Sequence, residues 1–344
     1  MPKVKKLSIV DIAKQLNISK TTISFILNNR AQEKRISEEL VQKVQNFVKE
    51  VGYKPNPIAK SLRTGKTKTI GLMVENIADP FFAAIARHIE NKANKNGYKI
   101  IYCSTDNDTQ KTKALLSMFR EQNVDGYIIS PPVGVEEEIK SLIESHLPIV
   151  CFDRHLHDVK TDYIEVDNEA STLKATQYLI DQGFKDIAFI TFASTQTQMQ
   201  GRLKGYQEAV KKNSLPSYIK EVKFNPDEMV VIESILDFLK KHKNLDAVIF
   251  GALQAGTSGL KAIKKWAPKR LADLGIISFD DCDVFELFSP SISAIAQPID
   301  QIAEYAIDLL LKRLNNINTS KERKNIIIHT ELILRDSSTK NASK

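Results

Sequence analysis

From Thr69 to Ser278, short apolar runs rich in valine and isoleucine alternate with amphipathic helical patterns. The runs are continuous rather than alternating, which is typical of strands buried on both faces of a parallel sheet. Strands and helices follow one another in two rounds, which meet near residue 162. The sequence therefore predicts an α/β core of two doubly wound parallel-sheet subdomains.

We place this core at residues 66–336. The first subdomain is expected over about 66–161 and 298–322, and the second over about 162–297 and 323–336. Residues 337–344 are expected to form a disordered tail. Ligands of open α/β sheets bind beyond the carboxyl ends of the strands, so we expect a ligand site in a cleft between the subdomains.

The N-terminal residues are strongly basic. Residues 1–65 hold 13 lysines and arginines against 5 acidic residues, a net charge of +8, while the whole chain carries +7. Three short helices are predicted, from about Ser8, Lys20 and Ser37, with a tight turn between the first two. We therefore predict an all-α helix-turn-helix DNA-binding domain over residues 1–54.

The second helix carries a polar face. Hydroxyl groups and a cation near a helix N-terminus suit the major groove of DNA. A small helical bundle with a merely solvated polar surface is the alternative. The candidate DNA-contacting residues of the head are Ser19, Lys20, Thr21, Thr22, Ser24, Phe25 and Asn28.

Residues 55–65 predict a short helix between head and core, which we call the hinge. Asn56 suits its N-cap, and a helix of this length is not stable alone in water. Leu62 has little around it to bury it and lies beside Lys60 and Arg63. We expect a helix that folds on DNA. Packing of Leu62 on its own core, and idle solvated charges at Lys60 and Arg63, are the alternatives.

Short motifs occur in both the head and the core. The head contains Ile9-Val-Asp-Ile-Ala-Lys-Gln-Leu-Asn-Ile-Ser19, Thr22-Ile-Ser24 and Gly52-Tyr53-Lys-Pro55-Asn56, with Ala59 and Leu62. The core contains Ile70-Gly-Leu-Met-Val, Asp79-Pro-Phe-Phe82, Val124-Asp-Gly126, Phe152-Asp-Arg154, Arg202-Leu-Lys-Gly-Tyr206, Ser278-Phe-Asp-Asp281 and Ala296-Gln-Pro298. Over roughly residues 7–336, the chain closely resembles the LacI/GalR family of transcriptional regulators, with a periplasmic-binding-protein-like core.

The resemblance implies a sequence-specific DNA-binding regulator, expected to be a repressor. It implies a homodimer on a near-palindromic operator, with hinge helices paired over the central minor groove. There Leu62 would be an apolar wedge and Lys60 and Arg63 would meet the groove and phosphates. The hinge candidates for DNA contact are Asn56, Ala59, Lys60, Leu62 and Arg63.

One residue of the head departs from the family pattern. The family most often has arginine where this chain has Phe25. A phenylalanine cannot donate hydrogen bonds to a base. It either contacts a thymine methyl group or packs inward, so no half-site sequence transfers from the resemblance.

Polar and aromatic residues follow several predicted strands and form the candidate effector site. Carboxylates and guanidinium groups bond neighbouring hydroxyls, and aromatic rings cover the apolar face of a sugar ring, so the resemblance implies a sugar or sugar derivative as effector. Structural salt bridges and core packing are the alternatives. The candidates are Asp79, Phe81, Phe82, Asp153, Arg154, Arg202, Asp280 and Gln297.

A second departure lies in the segment Gly251-Ala252-Leu253-Gln254, where many relatives carry Asn-Asp. A polar ligand contact is replaced by Leu253 or moved to Gln254. The effector is therefore expected to differ from the commonest family sugar, and a less polar or phosphorylated compound stays open.

Other function classes find less support. A sugar-binding transport-type protein is the runner-up, but it would need an export signal and no basic head. We expect no enzyme, no cofactor and no metal, because the sequence has no Gly-rich phosphate loop, G-x-S-x-G motif or metal-ligand cluster. The cysteines Cys103, Cys151 and Cys282 are too few and too dispersed for a disulfide framework. Three dispersed cysteines fit a reducing cytoplasm best, so we expect a cytoplasmic protein. No apolar run is long enough to span a membrane.

Overall fold

The computed structural model describes residues 7–53, 61, 64–225, 227–315 and 322–340. The chain divides into two compact units, Met1–Thr67 and Lys68–Lys344, which are taken in turn. Within the described residues, no helix combines the length and the apolar character that crossing a membrane requires.

The head contains the three predicted helices, α1 (Ile9–Leu16), α2 (Lys20–Leu27) and α3 (Glu38–Glu50). Each begins after a serine whose hydroxyl accepts a backbone N–H, which satisfies one of the unpaired donors of the first turn. Four buried residues form the core of this unit, namely Ile12, Ile23, Ile26 and Val44. The helix-turn-helix prediction and its serine caps are confirmed.

The first sheet of the core is entirely parallel. Its strands are β1 (Thr69–Val74), β2 (Lys99–Ser104), β3 (Gly126–Ile129), β4 (Ile149–Phe152), β5 (Asp162–Val166) and β11 (Asn325–Ile328), in the order β11-β5-β4-β3-β1-β2. Its helices are α4 (Pro80–Lys95), α5 (Thr109–Glu121), α6 (Glu136–Glu144) and α12 (Ile299–Asn315). Strands β1, β3 and β4 are buried throughout or nearly so, as continuous apolar runs predict, whereas burial alternates along β5.

The second sheet is parallel except at one edge. Its strands are β6 (Ile187–Phe192), β7 (Tyr218–Val222), β8 (Ala247–Phe250), β9 (Gly275–Phe279), β10 (Ser293–Ala296) and β12 (Glu331–Ile333), in the order β12-β10-β9-β8-β6-β7. Its helices are α7 (Asn168–Asp181), α8 (Thr197–Lys212), α9 (Glu228–Lys241), α10 (Leu253–Trp266) and the short α11 (Asp283–Glu286). Strand β12 pairs antiparallel with β10.

The expected subdomain boundaries were wrong at two places. Strand β5 was assigned to the second subdomain, but it pairs with β4 in the first sheet. Strand β11 was also assigned to the second, but it pairs with β5. The buried carboxylate of Asp162 explains both, because it accepts two hydrogen bonds from Arg313 of α12 and one from Lys324 N, next to β11. The chain therefore crosses between sheets after Val166 and after Ile328.

The expectation of a disordered tail from residue 337 was also wrong for its first residues. Ser337 and Ser338 are buried in a 3-10 helix that spans Asp336–Ser338. The Ser337 hydroxyl donates to Ile276 O at 2.7 Å and accepts from Ser293 N at 2.9 Å. Short polar side chains are common in mobile tails, but here the Ser337 hydroxyl is a hydrogen-bond partner for backbone groups of β9 and β10. Residues 341–344 lie outside the described part of the chain.

Candidate functional site

A cavity of about 760 Å³ lies between the two subdomains, beyond the carboxyl ends of their strands. Residues from both subdomains line it, as expected for a ligand cleft of an open α/β fold. The structure brings all eight predicted candidates into this one lining, namely Asp79, Phe81, Phe82, Asp153, Arg154, Arg202, Asp280 and Gln297. Their contact with a ligand stays a prediction.

Arg154 is the anchor of the wall formed by the first subdomain. Its side chain is buried and donates three hydrogen bonds of 2.8 Å, to Asp153 Oδ2, Asn107 Oδ1 and Glu75 Oε2. Asp153 Oδ2 also accepts from the hydroxyl of Ser130 at 3.2 Å. The structural salt bridge considered for Asp153 and Arg154 is therefore present, and it holds both groups rigidly at the cavity.

Arg202 is the corresponding anchor in the second subdomain. Its Nε donates to Asn168 Oδ1 at 2.8 Å and one terminal nitrogen donates to Gly251 O at 2.9 Å. The guanidinium carbon lies 3.5 Å from the centre of the Phe279 ring. Burial lowers the pKa of Arg202, although the charge of Asp280 opposes this. The Asp280 carboxylate is 3.9 Å away, a loose ion pair that leaves both groups with hydrogen-bonding capacity.

Asp153 and Asp280 occupy equivalent places in the two subdomains. Each follows a central strand, and each donates its backbone N–H to a neighbouring strand, at Ile164 O and Ile295 O. Both have left-handed backbones, with φ of 68° and 67°. A residue other than glycine costs about 1–3 kcal/mol of stability in such a conformation, and backbone strain of this kind clusters at binding sites. The two carboxylates are thus held at the cavity at the expense of stability.

Asp79 and the two phenylalanines come from the start of α4. The Asp79 carboxylate caps this helix by accepting from Phe81 N at 2.9 Å. Burial raises the pKa of Asp79 from 3.8 to about 6, and the nearby charge of Asp280 adds to the shift. Phe82 is 6% exposed and packs edge-on against Phe152, so it is largely a core residue, whereas Phe81 is half-buried.

Several lining residues were not predicted. Glu75 and Asn107 lie just beyond β1 and β2. Asp153 is a candidate because it follows a strand, and the same criterion applies to these two residues. Gln196 donates to Asn107 Oδ1 at 3.0 Å and so joins the two subdomains across the cleft. Gln198 is buried, and among the described residues its Oε1 has no hydrogen-bond donor. No sequence signal singles out these glutamines.

The aromatic and apolar part of the lining is also larger than predicted. Phe192 and Phe224 meet edge to face with ring centres 6.1 Å apart, and Phe224 is 60% exposed. Leu253, which departs from the family pattern, lines the cavity together with Ala252 and Gln254. The cavity therefore combines fixed charges with apolar surface.

The charges of the lining are unequal. Five carboxylates and two guanidinium groups belong to the described lining, namely Glu75, Asp79, Asp153, Glu221 and Asp280 against Arg154 and Arg202. An excess of negative charge at low solvent exposure disfavours anionic ligands.

In the head, the candidate residues fall into two groups. Lys20 and Thr21 are exposed on the first turn of α2. Ser19 and Asn28 lie at the two ends of the helix, where the Ser19 hydroxyl accepts from Thr22 N at 3.0 Å and the Asn28 amide donates to Ser24 O at 2.6 Å. Capping occupies part of the hydrogen-bonding capacity of the second group.

Phe25 is half-buried rather than packed into the core. The Arg30 guanidinium and the Lys34 ammonium lie 5.5 and 5.4 Å from the centre of its ring. These are cation–π distances. The hinge candidates Asn56, Ala59, Lys60, Leu62 and Arg63 lie outside the described residues.

Comparison with known proteins agrees with both units. A family model described as "Bacterial regulatory proteins, lacI family" matches residues 8–56, and one described as "Periplasmic binding protein-like domain" matches residues 176–338. A transcriptional repressor, PurR of Histophilus somni, is 30% identical over 334 residues, which cover 96% of this chain and 98% of that protein.

The chain belongs to the LacI family.

The predicted family and fold class are thereby confirmed, and this LacI-family protein is a DNA-binding transcriptional regulator. A crystal structure of the lac repressor dimer with operator and an anti-inducer shares the fold, with a TM-score of 0.85 and 18% identity over 97% of this chain and 99% of that one. A LacI-type regulator from Alkaliphilus metalliredigens, complexed with D-xylulofuranose, is 28% identical with a TM-score of 0.67 over 78% of this chain and 98% of that one.

Proposed function

We propose that this LacI-family protein is a cytoplasmic repressor whose operator affinity is set by a neutral sugar or sugar derivative in the cavity between its subdomains. The observation that carries the proposal is the pair of buried arginines, Arg154 and Arg202, each beside a strained aspartate at the end of a central strand. Fixed carboxylates and guanidinium groups can bond neighbouring ring hydroxyls from two sides. The D-xylulofuranose bound by a structural relative agrees with this ligand class.

Neutrality follows from the charge of the lining. Carboxylates outnumber guanidinium groups there, and the lining arginines are largely engaged by Asp153, Glu75 and Asn168. A phosphorylated compound would bring further negative charge next to these carboxylates. We therefore favour an uncharged polyhydroxy compound over the phosphorylated one that the sequence left open.

The proposed assembly is a homodimer on a near-palindromic operator, since a two-fold dimer presents two heads to two half-sites. In it, Lys20, Thr21 and Phe25 would face the major groove and the hinge would enter the minor groove. The lac repressor dimer on its operator supports this arrangement by analogy of fold. A transport role is disfavoured, because residues 8–56 match a DNA-binding regulator family.

Control of DNA binding would work through the relative orientation of the subdomains. Contacts across the cleft join them in the present state, from Gln196 to Asn107 at 3.0 Å and from Thr197 to Glu165 at 3.4 Å. An effector that competes for Asn107 or Gln196 would shift the equilibrium between this arrangement of the subdomains and other arrangements. Its influence cannot exceed its difference in affinity for the two states.

The proposal is tested by a thermal-shift screen of the whole protein against matched pairs, such as D-ribose with ribose 5-phosphate and D-glucose with glucose 6-phosphate. At least one neutral sugar should raise the melting temperature while its phosphate ester does not. Stabilisation by the phosphate esters alone would contradict the proposed ligand class.

Phe25 offers a prediction about the operator. Phe25→Arg should change the preferred half-site of duplexes selected from a randomised library, because a guanidinium can donate to guanine whereas a phenyl ring cannot. Repulsion between the new guanidinium group and the neighbouring cations Arg30 and Lys34 will also lower the stability of the head slightly. An unchanged preferred sequence with uniformly weaker binding would show that residue 25 does not face a base.

Asp79 offers a prediction about pH. Its raised pKa means that the folded protein binds a proton between about pH 4 and 6 that the unfolded chain has released. The stability that this provides is complete below pH 4 and is lost as the pH rises through 6. Between pH 5 and 7.5 the unfolding free energy of the wild type should fall by about 1 kcal/mol relative to Asp79→Asn, after allowance for solvent screening.

Urea unfolding of both proteins across this range measures the difference. Asparagine also caps helices well, so the variant keeps the start of α4 and removes the titrating group alone. A constant difference between the two proteins would contradict the burial of the Asp79 carboxyl.

A further inference from the structure

The end of the second subdomain opposite the cavity is strongly basic. Helices α9 and α10 both end there, since each leads into the amino end of a parallel strand, β8 and β9. From Lys240 to Asp273 the chain carries eight lysines and arginines and two aspartates. We use the name basic pole for Lys240, Lys241, Lys243, Lys264, Lys265, Lys269 and Arg270.

Direct contacts hold the two halves of the basic pole together. Arg270 follows α10 and donates to the carbonyl of Leu245, in the loop after α9. Its guanidinium also lies 5.8 Å from the centre of the Trp266 ring. Strands β8 and β9 are neighbours, with Ala247 paired to Gly275. The lysines of the two loops are therefore one surface and not two separate runs of charge.

The lysines of the basic pole are distinguished by their number on one surface, because Lys95, Lys174 and Lys211 on other core helices are also exposed without an ion pair among the described residues. Within the described chain, the six lysines of the basic pole are exposed and none forms an ion pair, and Asp246 of the same loop is engaged by Lys185 N, Asp186 N and Lys340. Many other lysines of core helices pair with a carboxylate, namely Lys92, Lys111, Lys113, Lys140, Lys204 and Lys261.

The helix dipole explains only part of this pattern. Cations are favoured in the last turn of a helix, which accounts for Lys240, Lys241, Lys264 and Lys265. Lys243 lies beyond the end of α9, and Lys269 and Arg270 lie in a single-turn 3-10 helix (Pro268–Ala272), whose dipole is much smaller than that of α9 or α10. Their like charges repel one another, so the cluster is costly unless an anion comes to it.

The surroundings indicate what kind of anion fits. Helix C-termini present carbonyl oxygens rather than N–H groups, so they do not cradle a single phosphate. Protein interfaces are anchored by large apolar side chains, yet between Lys240 and Asp273 the described residues include no exposed large apolar side chain. Flexible lysines with no anchor suit an extended polyanion held by charge alone, as in sequence-independent binding to DNA phosphates.

We propose that the basic pole is a second, sequence-independent binding site for duplex DNA on the core of this regulator. Through it, a protein whose heads are on the operator holds a second stretch of DNA. The contact is electrostatic, so it weakens steeply as salt rises.

The test uses the full chain loaded onto immobilised operator, taken from the randomised-library selection, so that the heads are occupied. A 40-base-pair duplex of unrelated sequence is then passed over the surface at low salt. The wild type should retain this second duplex. The triple variant Lys264→Gln, Lys265→Gln and Lys269→Gln should bind it about tenfold more weakly, since it loses three phosphate contacts.

The control removes the same charge elsewhere, by Lys95→Gln, Lys99→Gln and Lys160→Gln, three exposed lysines outside the basic pole. It should retain the second duplex like the wild type. No retention by the loaded wild type, or equal losses in both triple variants, would overturn the proposal. Capture of polyglutamate as strongly as DNA at equal charge would instead assign the surface to acidic proteins.

Discussion

Arg202→Ala is expected to abolish the effector response while the protein still binds its operator. The guanidinium stands in the cavity wall and keeps one terminal nitrogen with no hydrogen bond to the described residues. A hydrogen bond from a charged group is worth about 1.5–3 kcal/mol. Loss of the contact that this nitrogen makes should therefore lower the affinity for a neutral sugar found in the screen by about 10- to 100-fold. Isothermal titration calorimetry measures this change.

The variant will also be less stable, because Asn168 Oδ1 and Gly251 O lose their donor. Arg313→Ala provides the matched control. Arg313 is also a poorly exposed arginine with hydrogen-bonded partners, here the buried carboxylate of Asp162, but it does not line the cavity. It should lose stability and keep the effector affinity. An Arg202→Ala protein that binds the sugar normally would remove Arg202 from the site.

The buried carboxylate of Asp162 links three chain segments of the first subdomain, and its removal is the second change with a large expected effect. Asp162→Ala is expected to lower the free energy of unfolding by about 3–5 kcal/mol, as for other buried ion pairs that lose one partner. The Asp162 side chain is fully buried, and its carboxylate binds Arg313 at two points, at 2.9 and 2.8 Å, as well as Lys324 N. Denaturation by urea, followed by circular dichroism, gives the value.

Asp158→Ala is the control for this measurement. Asp158 is exposed in the loop that precedes β5, so its loss should change the unfolding free energy by no more than about 0.5 kcal/mol. Equal stability of the Asp162 and Asp158 variants would contradict the role given to the carboxylate.

The same carboxylate shows where prediction from sequence ends. Apolar periodicity predicts most of the strands and helices, because a buried strand must be apolar whichever sheet it joins. It could not assign β5 and β11 to a sheet, since that depends on Asp162, Arg313 and Lys324, residues far apart in sequence. Edge strand β7, with the mixed sequence Tyr-Ile-Lys-Glu-Val, was missed because it is only partly buried.

Only part of the cavity lining could likewise be predicted from the sequence. Residues directly after strands, such as Asp153 and Asp280, could be located because all carboxyl ends of a parallel sheet meet at one edge. Gln196 and Gln198 reach the cavity from the start of α8, after a loop whose path has no sequence signature. The sequence also does not show which protein groups the two arginines bond, namely Asp153, Glu75 and Asn168.

Occupancy of the cavity is proposed to control binding to the operator. The most direct test titrates a sugar that raises the melting temperature into a complex of the full protein with its selected operator, followed by fluorescence anisotropy. We expect the operator dissociation constant to change by at least about tenfold, a coupling of about 1.4 kcal/mol, and Arg202→Ala to eliminate this change. An operator affinity that stays constant while the cavity fills would contradict the proposal.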